Sequence, residues 1–327
     1  MFQITKLSDE ILDTQFVNKT RKGYVTVKGF TLPEAYGEYS NEIENFEVYD
    51  DDVWVCSFPK SGTTWTQEMV WLIENNFNYE KAKRPIYERF PHFELHVYYD
   101  LKSAFSKNPN LKRQPFSTNS FEYIKNLKRP RLIKTHLPFA LLPNQIRKFI
   151  KKPKIIYITR NCKDVCVSFY HFSRDFDAFT GTFETYSRLF LKGKVPYGPF
   201  WHHNLGFWVQ RNKPNVLILR YEKLKENLPS VIKDVARFLQ KPASESDIRN
   251  LVNHLSFENM KNNRSVNYSS LAAFLNEINE SNNQGVFMRS GKIGNYKEIM
   301  SKEIEQEFDV WIKGNIGNTG FLEYEAD

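Results

Sequence analysis

The sequence predicts an α/β fold with a mainly parallel central sheet flanked by helices, and three observations carry that expectation. Four apolar runs are rich in β-branched residues and lack polar alternation: VWVCSF (53–58), RLIKTH (131–136), KIIYIT (154–159) and VLILRY (216–221). Strands of that kind belong to a sheet covered on both faces. Segments of helical character follow the first, third and fourth runs, at 63–76, 162–176 and 228–240. Strands alternating with helices argue for parallel pairing. Across 327 residues there is no internal repeat and no low-complexity linker, so one domain spanning 1–327 is expected.

In such sheets ligands bind beyond the carboxyl ends of the strands. The first run ends in FPKSGTTW (58–65). Gly62 lets the backbone approach a ligand. The helix expected next supplies free N–H groups and a positive dipole end. Lys60 adds a full charge, and Ser61, Thr63 and Thr64 add hydroxyl donors. Trp65 offers a flat ring that could stack on a base, and the bland alternative for the whole stretch is a helix-capping turn. The triphosphate-binding pattern G-x-x-x-x-G-K-[ST] is not met, because the lysine precedes the only glycine.

The second run ends in Lys134-Thr135-His136-Leu137-Pro138. His136 suits a general base, since an imidazole titrates near working pH; a structural histidine is the alternative. The third run ends at Arg160, a fork for phosphate oxygens, with Ser168 two helical turns further on. A surface salt bridge would also explain Arg160. After the fourth comes Tyr221, a base or ribose contact or simply core. The helix at 228–240 is entered by Asn227, a plausible N-cap.

The formal net charge is +8, with pI about 9.1. That suits an anionic cofactor as well as nucleic acid or an anionic surface. The densest basic runs, 125–131 and 148–154, read as solvated surface, and no nucleic-acid module is recognisable. Cys56, Cys162 and Cys166 are too few for a disulfide framework; Cys162-x3-Cys166 could suggest a metal pair, but no second pair of Cys or His has ligand spacing, so no metal is expected. The N-terminus does not read as a signal peptide, and no apolar run reaches about 18 residues. A soluble, cytoplasmic protein is expected.

Taken together, FPKSGTTW, KTHLP, ITRNCKDVCVSFYHF and LRYEKLKEN resemble the cytosolic sulfotransferases. VPYGPFWHH (195–203), SFENMKNN (256–263) and FMRSGKIGNYK (287–297) continue the match in the same order. The resemblance runs from about residue 30 to 312 and implies the P-loop-like sulfotransferase fold. It implies transfer of a sulfuryl group from 3′-phosphoadenosine 5′-phosphosulfate (PAPS) to a hydroxyl or amine, leaving adenosine 3′,5′-bisphosphate (PAP). It makes Lys60, Ser61, Gly62, Thr63, Thr64 and Trp65 the 5′-phosphosulfate loop, with Trp65 and Phe257 on the two faces of the adenine. Tyr221 is its adenine-side contact. Arg160, Ser168, Arg289 and Gly291 correspond to 3′-phosphate ligands. Leu255, Ser256, Met260, Phe287, Met288 and Ser290 complete the nucleotide-binding segments. His136 corresponds to the catalytic base, Lys134 to its neighbour on the acceptor side, and Lys60 to the cation at the departing nucleotide.

This chain departs from the family pattern at three places. Ser290 stands where a lysine is usual, and Leu255 where a threonine is usual. KEIMSKEI (297–304) is a degenerate version of the family's dimer motif, which puts a homodimer by that route in doubt. The acceptor pocket should draw on YERFPHFELHVYYD (87–100), with LAAFLNEINE (271–280) as a lid. Phe90, Phe93, Tyr98 and Phe172, beside Lys134 and His136, are the expected walls, though each ring could equally be core. An aromatic, largely uncharged wall suits a phenol, steroid, retinoid or other lipophilic alcohol. His92 and His96 read as a surface or pocket pair. The rival readings are a retinoid-type dehydratase on the same fold, a P-loop kinase and a nucleic-acid binder.

Overall fold

The computed structural model describes residues 2–107, 113–279 and 285–321. Its centre is a four-stranded sheet of β4 (Val53–Cys56), β5 (Leu132–Thr135), β6 (Lys154–Thr159) and β7 (Val216–Arg220). The spatial order is β5-β4-β6-β7 and every pair is parallel, with Val53 opposite both Leu132 and Lys154, and Ile155 opposite Val216. The chain thus reverses its direction of travel across the sheet beside β4, which makes the end of β4 the switch point where ligands bind.

Alternate residues of each strand enter different cores, which is why the runs are apolar throughout. Trp54, Cys56, Ile133, Ile155 and Tyr157 join one buried cluster. Val53, Val55, Leu132, Ile156, Ile158 and Leu219 join the other. Helices Thr63–Glu74 and Leu228–Leu239 cover the second face, through Met69, Val70, Ile73, Val231, Ile232 and Val235. Helix Cys162–Phe176 packs on the first through Val165, Cys166 and Phe169. A fully buried aliphatic side chain contributes about 1.5–3 kcal/mol, so these alternating positions dominate the fold.

The helix ends have local causes. Asn227 caps its helix by accepting from Ser230 N at 3.2 Å, and Gln240 stops it in the left-handed region at φ 59°. Thr63–Glu74 ends two residues before the expected 76 because Asn76 and Phe77 turn to φ 51° and 54°. Where β4 meets β5, the buried Arg131 and Asp52 form a two-pronged pair, at 2.8 and 2.6 Å.

A second, antiparallel sheet was not anticipated. It joins β1 (Ile4–Leu7), β2 (Tyr24–Val27) and β3 (Phe30–Pro33). The hairpin turns at Lys28 and Gly29, both at positive φ (49° and 81°), with Val27 opposite Phe30. A two-residue turn with both centres at positive φ matches the right-handed twist of strands. No described helix is long and apolar enough to cross a membrane.

Candidate active site

The loop after β4 is bent to meet the neighbouring strand end. Lys60 takes φ 71° and Gly62 φ 107°. A Cβ on Gly62 would stand 2.8 Å from the Tyr221 ring, so only glycine fits against the end of β7. Gly62 opens helix Thr63–Glu74 without a side-chain cap, which leaves the N-terminal amides to a ligand. Ser61 Oγ is buried with no hydrogen-bond partner.

Cations converge on this loop. Burial first, then the charges of Lys134, Arg160 and Arg289, push the Lys60 pKa down to about 7. Burial likewise pushes Lys134 down to about 8. Lys60 Nζ stands 3.9 Å from the centre of the Phe287 ring and 4.7 Å from that of Phe172. Crowded, desolvated positive charges of this kind call for an anion.

Arg160, at the end of β6, donates to Lys292 O at 2.9 Å and lies 4.2 Å from the centre of the Tyr221 ring. Arg289 donates to Asn295 Oδ1 at 2.5 Å, and Ser290 Oγ donates to the same oxygen at 3.2 Å. Asp164 accepts from Gly294 N and Tyr296 N at 2.8 and 3.1 Å, tying this segment to helix Cys162–Phe176. A Cβ on Gly291 would stand 2.3 Å from the Phe257 ring, so backbone and ring meet there in direct contact. Trp65 meets Tyr221 edge to face at 5.6 Å.

His136 is held on three sides. Its Nδ1 is 2.9 Å from Ser57 O, so the proton sits there and Nε2 keeps the lone pair. Its amide donates to Glu94 Oε1 at 2.7 Å, and its carbonyl accepts from His203 Nε2 at 2.9 Å. Tyr157 OH in turn lies 3.0 Å from His203 Nδ1 and fixes that tautomer. Ser57 Oγ bonds Thr63 Oγ1 at 2.7 Å and lies 3.2 Å from His136 Nδ1, which links the base to the anion loop. Burial foremost, with Lys134 and His92 adding to it, holds the imidazole pKa well below 6.5. The ring is therefore neutral, the form that accepts a proton.

Lys60, Lys134, His136, Arg160 and Arg289 all line one cavity of about 990 Å³. Every residue expected at the nucleotide lines it except Ser61, which lies buried behind the loop. Leu255 is 1% exposed and packs in the second core, its edge on the cavity. Lys134, His136, Tyr98 and Phe172 line the acceptor side. Tyr98 turns its hydroxyl away, donating to Asp177 Oδ2 at 2.6 Å, and presents its ring as wall.

Two expected walls are not walls. Phe90 and Phe93 are wholly buried and do not border the cavity. Phe90 packs in the second core. Phe93 meets Phe46, Trp54 and Phe121 at 4.8, 5.1 and 4.7 Å between ring centres. The reason is backbone pairing: Lys134 N donates to Pro91 O at 2.9 Å and Phe93 N to Lys134 O at 2.7 Å. That pairing sends Phe93 inward and His92, its neighbour, to the cavity.

Sequence reasoning also missed Ser57, Glu94, Tyr197, His203 and Tyr268. The cavity takes in Tyr197 and Tyr268, and the others hold His136. Ser57 follows β4 directly but holds the base through its backbone carbonyl, and the other four reach the site from loops and helices, without a strand-end signature. Helix Ser269–Asn279 covers the cavity with Leu271, Phe274 and Leu275, as expected of a lid; Glu280 lies outside the described residues. Among the described residues, no group of three His, Cys, Asp or Glu side chains could hold a metal ion.

Residues 50–320 match the sulfotransferase domain family. A luciferin sulfotransferase from Photinus pyralis is 42% identical over 96% of this chain and 85% of its own length. Sulfotransferase 1 family member D1 from Rattus norvegicus is 36% identical over 88% of this chain and 91% of its own. A solved retinol dehydratase, in a complex with retinol and PAP, has a TM-score of 0.85 at 29% identity, covering 97% of each chain. A mouse sulfotransferase complexed with PAP has a TM-score of 0.69 at 25% identity, covering 93% of this chain and 99% of its own. The chain belongs to the sulfotransferase family.

Proposed function

We propose that this sulfotransferase takes its sulfuryl group from PAPS and delivers it to a hydroxyl of a small lipophilic acceptor, with His136 as general base. The observation that carries the reading is the junction at Ser57, which touches both the anion loop at Thr63 and the base at His136. PAPS supplies an activated sulfuryl group with a phosphate leaving oxygen.

The residues fit that donor. The uncapped helix start and Lys60 suit the 5′-phosphosulfate. Arg160, Ser168 and Arg289 suit the 3′-phosphate, and Trp65, Phe257 and Tyr221 the base. His136 Nε2 takes the proton from the acceptor oxygen as that oxygen attacks in line. Lys60 and the loop amides stabilise the negative charge that develops at the leaving oxygen, as preorganised anion sites do. Lys134 keeps a second positive charge on the acceptor side. Tyr98, Phe172, Phe274 and Leu275 enclose the apolar body of the acceptor and exclude water.

A second reading, a dehydratase that eliminates the activated group, has one observation behind it: the TM-score of 0.85 to a retinol dehydratase. Mass analysis of products from phenols, steroids, retinol and fatty alcohols incubated with PAPS separates the two. Sulfate esters are expected. A product lacking water and carrying no sulfate would favour the dehydratase, and no product with any acceptor would overturn both.

A further inference from the structure

His92 has no part in the mechanism above, yet it borders the reacting end of the cavity. A parallel bridge pairs it with Lys134. Residues in register on neighbouring strands present their side chains to one face, so His92 and Lys134 face the cavity together. The His92 ring stands edge-on to His136, with centres 5.1 Å apart and planes at 80°.

The tautomer follows from its neighbour. Nε2 lies 3.0 Å from Glu94 Oε1. The contact is off hydrogen-bond geometry and Nε2 is otherwise buried without a partner, but a lone pair facing an ionised carboxylate at that distance would be repelled, so Nε2 carries the proton and Nδ1 the lone pair. Glu94 stays ionised: His92, Thr135 Oγ1 and the His136 amide outweigh its burial and lower its pKa. Burial keeps His92 itself below its ordinary 6.5, against the pull of Glu94. Among the described residues, no hydrogen bond to Nδ1 is found, and the ring borders the cavity. A neutral imidazole thus offers an acceptor atom to the cavity beside the base.

We propose that His92 is a second acceptor-binding imidazole, whose Nδ1 receives a hydrogen bond from a donor next to the hydroxyl being sulfated. The enzyme therefore prefers vicinal dihydroxy acceptors, catechols or 1,2-diols, over monohydroxy ones. The inference rests on the sulfotransferase reading. No bond to His92 is made or broken. The attacking oxygen bonds to sulfur, its proton goes to His136, and the bond from sulfur to the phosphate oxygen breaks. The second hydroxyl keeps its proton and fixes the orientation of the acceptor.

The test is kcat/KM with PAPS for catechol and for 2-methoxyphenol, which keeps the adjacent oxygen, lacks the second donor and is larger by one methylene. Wild type, His92→Phe and His92→Gln are compared, with PAP-induced thermal shifts reporting that each variant folds. Wild type should favour catechol about tenfold, the scale of one hydrogen bond. His92→Phe should bring the ratio toward one, and His92→Gln, which retains an acceptor atom, should restore part of it. A wild-type ratio near one, or a ratio unchanged in His92→Phe, overturns the inference. Transfer to 2-methoxyphenol without preference leaves the sulfotransferase reading standing and overturns this one. Transfer to no phenol, steroid or alcohol overturns both.

Discussion

The ammonium of Lys60 titrates near neutrality because it is buried among other cations, at a pKa of about 7. A bound bisphosphate favours the charged form and draws that pKa back up. The free protein has lost part of this proton at pH 8, so PAP binding there must take protons up. PAP affinity should fall as pH rises through 7 toward the ordinary 10.5 of lysine. Titration calorimetry at pH 8 in two buffers of different ionisation heat measures the uptake, and Lys60→Met should reduce it. Equal heats in both buffers for wild type would contradict the assignment. The same linkage acts on folding without ligand: from about pH 7 to 10.5 the unfolded chain holds a proton that the folded chain has released. Lys60 therefore contributes stability that rises with pH in that window. Lys60, His136 and Arg160 were legible as chemistry because polar residues directly after apolar runs are conspicuous. His92 was legible only as a residue without a role, since its direction depends on pairing between 91–93 and Lys134 that no local pattern announces.

Elements decide how closely the nucleotide segments approach one another. Gly62→Ala forces a Cβ onto φ 107° and into the Tyr221 ring. Backbone strain alone is on the order of 1–3 kcal/mol, so a lower melting temperature and a loss of PAP affinity of about tenfold or more are expected together. Gly291→Ala, at φ 63°, also strains the backbone but displaces Phe257, which is only half-buried, so PAP affinity should fall with a smaller change in melting temperature. Calorimetric Tm and Kd on the two variants check this contrast; equal thermal losses with unchanged affinity would refute it. The parallel strands and their helices were readable because burial on both faces leaves uninterrupted apolar runs. The antiparallel sheet at the N-terminus escaped because polar residues interrupt its strands, as in ITKL and YVTV, and β1 is only half-buried. The Lys28-Gly29 turn between YVTV and FTLP was its readable signal.

Across the whole molecule, β4 and β5 are locked where they begin by Arg131 and Asp52, whose side chains are 1% and 0% exposed. Arg131→Met leaves the Asp52 carboxylate buried with no cation and only the Tyr49 amide as a donor, at an expected cost of about 3–5 kcal/mol in urea denaturation. Saturating PAP should recover about 4 kcal/mol at a thousand times its Kd, because it binds the native state only. The overall plan could be read because motif order and strand order coincide along the chain. The apolar pocket could not, since phenylalanines at 90 and 93 have the same composition signature whether they face the cavity or the core. The central claim is that the strand ends form a phosphosulfate site with His136 as its base. Single-turnover transfer from sulfur-labelled PAPS, with wild type and His136→Ala side by side, tests it most directly. The account predicts labelled sulfate ester from wild type and a rate at least about 100-fold lower in the variant. Label that stays on the nucleotide in wild type, or transfer by His136→Ala at the wild-type rate, would contradict it.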